Sequence, residues 1–261
     1  MSSAVLEQAL WYASMALTLG LAVKLKWIGL DKPYRALWLY LVWDSLGSLA
    51  MLPIPRNITA YAVMYMIVGV GRWVFYFLIT LEVVTLLMKR YPGLAGVARQ
   101  AVRIALIFAA LVGIGSATLD VGPGSPYPIL QYFQLADRTI SATALGFMGL
   151  ILAFLFWFPV RLNKNIAAYS VGFVFLFGSR IVTLLLSNLM GPSRRAILSA
   201  ATMAIVVLVR VYWIVCMDAA AEAAPVTIGH AWNRAEEQRL LGQLDSINSS
   251  LVKAAEKTRT L

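Results

Sequence analysis

The stretch that decides the fold is "VGVGRWVFYFLITLEVVTLLM", residues 68–88. It is apolar and longer than the roughly 20 helical residues that cross a bilayer core. Yet it contains Arg72 and Glu82. Either it is no membrane span, or it is a span whose charged residues face other helices.

The rest of the chain favours the second reading. Of its 261 residues, 61% are hydrophobic and 13% charged, with a mean hydropathy of +0.77. Soluble domains carry about 25% charged residues. Runs of spanning length recur at about 4–23, 36–54, 60–88, 104–119, 129–158, 167–190 and 196–217. The expected fold is all-α, a polytopic bundle of seven transmembrane helices. Residues 1–219 form the membrane domain and 220–261 a cytoplasmic tail. The N-terminus lacks a basic segment before its apolar run and is read as a retained first span. No fixed-period internal repeat stands out.

Lys and Arg set the orientation. The connections after runs one, three and five hold Lys24, Lys26, Lys32, Arg35, Lys89, Arg90, Arg99, Arg103, Arg161 and Lys164. The other connections hold Arg56, Arg194 and Arg195. Ten against three places the N-terminus outside and the C-terminus in the cytoplasm. The net charge of +10 is then a topology signal, and nucleic acid is not expected as a partner. The turns "LPIPRN" (52–57) and "LDVGPGSPYP" (119–128) hold helix breakers, and the second is long enough to cover an outer cavity.

Five ionisable residues fall inside the runs: Asp44, Arg72, Glu82, Arg180 and Arg210. Each costs about 2.5–3.5 kcal/mol at a helix centre unless it meets a partner, water or a cavity. Arg72 and Glu82 are about 15 Å apart along one helix and cannot pair with each other. Depth suggests Asp44 with Arg72 or Arg180, and Glu82 with Arg210. Tyr169, Arg180 and Thr183 share one face of their helix, as do Ser199, Thr202 and Arg210 of the next. Ser48 lies one turn from Asp44. Ser48, Tyr169, Thr183, Ser199 and Thr202 are therefore candidate ligand-lining residues. Three arginines against two acids leave room for a small anionic ligand. The charges either lock helix packing or form a ligand or ion site. Asp137 and Arg138 are read as interfacial.

Several functions are disfavoured. The last run has no lysine for a retinal Schiff base. One histidine, His230, and one cysteine, Cys216, supply neither a zinc set nor bis-histidine haem ligation. No Ser-His-Asp set or HExxH occurs. No catalytic residue, metal or cofactor is expected.

In the tail, Asn233 and Glu236 resemble a capping box, and Leu240, Leu244, Ile247 and Leu251 follow heptad spacing. An amphipathic helix over 234–257 is predicted. Its stripe packs on the bundle, lies on lipid, or binds a protein partner or a second copy.

The blocks "MKRYPGL", "FWFPVRLNKN" and "GHAWNRAEEQRLLGQLDSINSSL" together resemble an uncharacterised family of seven-helix integral membrane proteins of acidobacteria-like bacteria. The resemblance runs over nearly the whole chain and implies a multi-pass protein of the bacterial inner membrane. It assigns no activity and no site residues. The function expected is non-enzymatic, a receptor or signal relay. The alternatives are a transporter or ion-conducting protein, and an accessory or scaffold subunit of a membrane complex.

Overall fold

A computed structural model describes residues 3–55, 59–87, 100, 103–104, 107, 128–157, 161–190, 195–223, 225–227 and 233–259. The fourth apolar run and the loop after it lie outside these residues, apart from Ile104, Ile107 and Pro128. Lys89, Arg90, Arg99 and Arg138's side chain also lie outside the description.

The described fold is helical. Its elements are α1 (Ser3–Trp27), α2 (Arg35–Met51), α3 (Thr59–Leu87), α4 (Pro128–Trp157), α5 (Lys164–Met190), α6 (Arg195–Cys216), α7 (Ala219–Ala223) and α8 (Arg234–Arg259). Strand β1 (Arg161–Asn163) pairs antiparallel with β2 (Pro225–Thr227), in the register Leu162 opposite Val226. This ribbon was not foreseen; three residues are too few for a period-two signature. Among the described residues, Thr59–Leu87 and Ile197–Cys216 are long and apolar enough to cross a membrane.

Helices α1 to α6 close into a ring in chain order. Each packs on the next, α6 returns to α1, and α3 also touches α5 across the middle. Leu21, Leu37, Ile79, Met148, Phe173 and Trp213 are among the residues buried inside. Small residues let the helices approach closely. A Cβ on Gly71 would overlap the Trp43 ring, and one on Gly172 would overlap Trp213. Tryptophan N–H groups then stitch neighbours together. Trp38 donates to Ala22 O at 3.2 Å, Trp43 to Val68 O at 3.0 Å and Trp213 to Ala168 O at 3.0 Å. A buried indole needs such an acceptor.

The α1–α2 corner follows from one glycine. Gly29 has φ +74°, Leu30 N–H bonds Leu25 O at 2.9 Å and Gly29 N–H bonds Lys26 O at 3.3 Å. This is a Schellman stop, and the two positions that carry its hydrophobic contact, Leu25 and Leu30, are both buried. The chain then enters α2 at Tyr34, whose side chain does not cap the helix. The cap comes from another helix and belongs to the candidate site.

Candidate functional site: a polar core and a tail latch

Asp44 on α2 sits between two arginines. Its Oδ1 accepts from Arg72 Nε at 3.0 Å, and its Oδ2 accepts from Arg210 Nη2 at 3.4 Å. Tyr40, one turn earlier on α2, accepts from the same Nη2 at 3.3 Å. The Arg210 guanidinium lies 5.3 Å from the Tyr40 ring and 5.4 Å from that of Trp213. Arg210 is 1% exposed, and its Nε and Nη1 have no partner among the described residues.

A second cluster lies beside the first. Arg180 on α5 pairs with Asp137 Oδ2 at 2.9 Å and donates to Tyr76 OH at 2.5 Å. Asp137 Oδ1 accepts from Trp73 Nε1 at 2.8 Å. Tyr76 meets Tyr40 ring to ring, with centroids 6.0 Å apart, which joins the two clusters. The expected pairing of Asp44 with Arg72 is present; Arg180 takes Asp137 instead. Asp137 is buried in the bundle, not interfacial. Its place could have been read from Ala136, Ile140, Ser141, Ala144 and Met148, which form one buried stripe of α4 with it.

Glu82 does not pair with Arg210. Its Oε1 accepts the Ala36 backbone N–H at 2.8 Å, and its Oε2 accepts Leu37 N–H at 3.4 Å and Tyr169 OH at 2.8 Å. The first amides of a helix have no intrahelical acceptor and carry about half a positive charge. Glu82 thus caps α2 from α3. Counting only formal charges misses this partner.

The Tyr169 ring contacts Tyr34 edge-on, with centroids 5.6 Å apart. Tyr34 OH donates to Glu222 Oε2 at 2.7 Å. Burial, then this bond, pushes the Tyr34 phenol well above its usual pKa. Glu222, on the short helix α7, also accepts from Asn163 Nδ2 at 3.0 Å and Asn165 Nδ2 at 2.9 Å. Asn165 closes the cluster by bonding Asp218 O at 2.9 Å and accepting Asp218 N–H at 3.1 Å. With the β1–β2 ribbon, these bonds latch the root of the tail to the bundle. None of these latch residues was singled out from sequence, because all lie in or beside connections without periodicity.

The remaining candidates are dispersed. Thr183 and Thr202 are hydrogen-bonded to each other between α5 and α6. Ser199 donates to Glu7 Oε1 at 3.1 Å, tying α6 to α1. Ser48 is buried. On α8, Leu244 is buried, Leu240 and Leu251 are half-buried, and Ile247 is 50% exposed. Among the described residues, no group of three or more His, Cys, Asp or Glu is placed to hold a metal. Comparison with protein families, curated proteins and solved structures finds no match.

Proposed function

We propose that this chain is a seven-span protein of the bacterial inner membrane, N-out and C-in, working as a receptor or signal relay. One observation carries the reading: α2 has a polar or lining contact at every level of the bundle. Met51 and Leu52, at its distal end, line a cavity of about 300 Å³. Asp44 and Tyr40, at its middle, hold Arg210. Ala36 and Leu37, at its other end, are held by Glu82. Tyr34, immediately before it, holds Glu222 at the tail root. A rigid helix anchored at all these points carries a displacement from the cavity to the tail.

The ring of six helices, the two strongly apolar helices and the Lys/Arg bias support the membrane part of the proposal. The half-exposed Ile247 on α8 offers a surface to a protein partner. The test is hydrogen exchange across residues 219–227 in lipid nanodiscs. Met51→Trp perturbs the distal end of α2 and Asp44→Asn its middle. Both should change exchange at 219–227 several-fold. Unchanged exchange in both variants, with α2 still protected, defeats the relay.

A further inference from the structure

We infer that the exposed corner between α1 and α2 binds an anionic phospholipid, with Trp27 at the boundary of acyl chains and headgroups and Lys32 and Arg35 on the phosphate. This rests on the membrane part of the proposed function, which puts the corner at the cytoplasmic face. On α1, Val5, Tyr12, Leu19, Val23 and Trp27 are all exposed, and at 100° per residue they fall within about 80° of one another. They form one apolar stripe about 33 Å long at 1.5 Å per residue, against about 30 Å for a bilayer core. The stripe ends on Trp27, which is 86% exposed. A tryptophan is rarely so bare in water, whereas its ring and N–H suit the membrane–water boundary.

The charges beside Trp27 select the headgroup. From Lys24 to Arg35, Lys24, Lys26, Lys32 and Arg35 stand against a single acid, Asp31. Two of these cations are engaged within the fold. Lys24 donates to Ile214 O near the end of α6. Lys26 pairs with Asp31 at 3.1 Å and lies 5.3 Å from the Trp38 ring centroid. Lys32 and Arg35 are exposed, and neither has an ion pair among the described residues. Arg35 opens α2, where the positive end of the helix dipole gives a cation no support. Glu82, the acid at this helix end, accepts from the Ala36 and Leu37 amides and from Tyr169. Lys32 and Arg35 are three residues apart, at most about 11 Å of chain, so one phosphodiester can lie between them. A headgroup without a cation of its own meets both without repulsion, which favours an anionic over a zwitterionic lipid.

The test uses the full-length protein in nanodiscs of phosphatidylcholine with a minor share of phosphatidylglycerol. One lipid or the other is brominated high on its acyl chains, and the fluorescence quenching lost in Trp27→Phe is that of Trp27. Quenching against mole fraction gives the relative affinity of the two lipids for the Trp27 site. Phosphatidylglycerol should be preferred about fivefold or more, which is the effect of a single cation near an anionic surface at about 1 kcal/mol. Lys32→Gln combined with Arg35→Gln should abolish the preference and leave quenching by phosphatidylcholine and the near-ultraviolet circular dichroism unchanged. Equal affinities in the wild type overturn the site and leave α1 as a span. No quenching of Trp27 by either lipid overturns both. A preference that survives the double variant overturns the assignment to Lys32 and Arg35. Loss of the preference on adding inorganic phosphate overturns the lipid in favour of a soluble phosphate.

Discussion

Arg210 should be nearly dispensable for stability, whereas Asp44 should not. Asp44 accepts from both Arg72 and Arg210, and these side chains are 14%, 17% and 1% exposed respectively. In Asp44→Asn the two guanidinium groups face a neutral amide and each other. Removing one partner of a buried ion pair costs about 3–5 kcal/mol. Arg210→Met is different. It gives up a 3.4 Å ion pair, a 3.3 Å bond to Tyr40 and two ring contacts. It also removes two buried nitrogens, Nε and Nη1, that have no acceptor among the described residues, each costing about 1–3 kcal/mol. Methionine fills the slot between the rings with flexible apolar atoms. Gain and loss nearly cancel, so Arg210→Met should lie within about 1 kcal/mol of the wild type. The double variant should recover about 2 kcal/mol of the Asp44→Asn loss, because one of the two stranded charges is gone.

The assay is reversible unfolding by SDS in mixed micelles, with near-ultraviolet circular dichroism as the probe. Arg180→Met is the contrast. Arg180 has a 2.9 Å pair with Asp137 and a second bond to Tyr76, and its loss leaves Asp137 buried without its cation. It should cost about 3–5 kcal/mol. Equal losses for Arg210→Met and Arg180→Met, or no recovery in the double variant, would refute the charge accounting.

Gly29→Ala should cost about 1–2 kcal/mol from the left-handed backbone alone, since a Cβ there meets nothing within 4 Å; Gly29→Asn should cost less. Gly172→Ala should destabilise the fold by about 1–3 kcal/mol of overpacking and lower the melting midpoint, because Trp213 must move off its bond to Ala168. Tyr34→Phe should cost about 1 kcal/mol and speed hydrogen exchange at 219–227, with α2 unchanged. The Tyr34 phenol is pushed up in the folded state, so its contribution is complete below the unfolded pKa of about 10. It is lost as pH rises through the folded value. Melting midpoints of the wild type and Tyr34→Phe should therefore differ by a constant amount up to about pH 10 and converge only at still higher pH.

Helix positions were legible in the sequence because long apolar runs and their breakers are local signals. The expected runs 60–88 and 196–217 correspond to Thr59–Leu87 and Arg195–Cys216, and the predicted tail helix 234–257 to Arg234–Arg259. The faces of α5 and α6 were legible from helical phase. Which groups meet across the ring was not, because phase gives a direction and not a neighbour. Glu82 shows the limit most clearly. Its partner is a pair of backbone amides, to which sequence assigns no charge. The place of Asp137 toward one end of its run suggests an interface, although its own helix carries the stripe that buries it. The Glu222 latch depends on contacts to Tyr34, Asn163 and Asn165, all more than 50 residues away in the chain.

The choice between relay and transporter turns on what the charges touch. A transport pathway needs charged groups that water can reach from both sides in turn. Arg210 is instead 1% exposed and has aromatic rings of Tyr40 and Trp213 beside it. The 300 Å³ cavity is walled by none of Asp44, Arg72, Glu82, Arg180 or Arg210. At Arg210 these features favour a charge that sets the position of α2 over one that passes a solute. The external cap strengthens this argument. A helix capped by its own side chain keeps that bond wherever it moves, but Glu82 belongs to α3. Any shift of α2 along α3 therefore stretches its bonds to Ala36 and Leu37 and tugs the Tyr34 that follows the same backbone. In the proposed relay, movement at the distal end would load the Asp44 contacts first and then the junction where Tyr34 holds the tail.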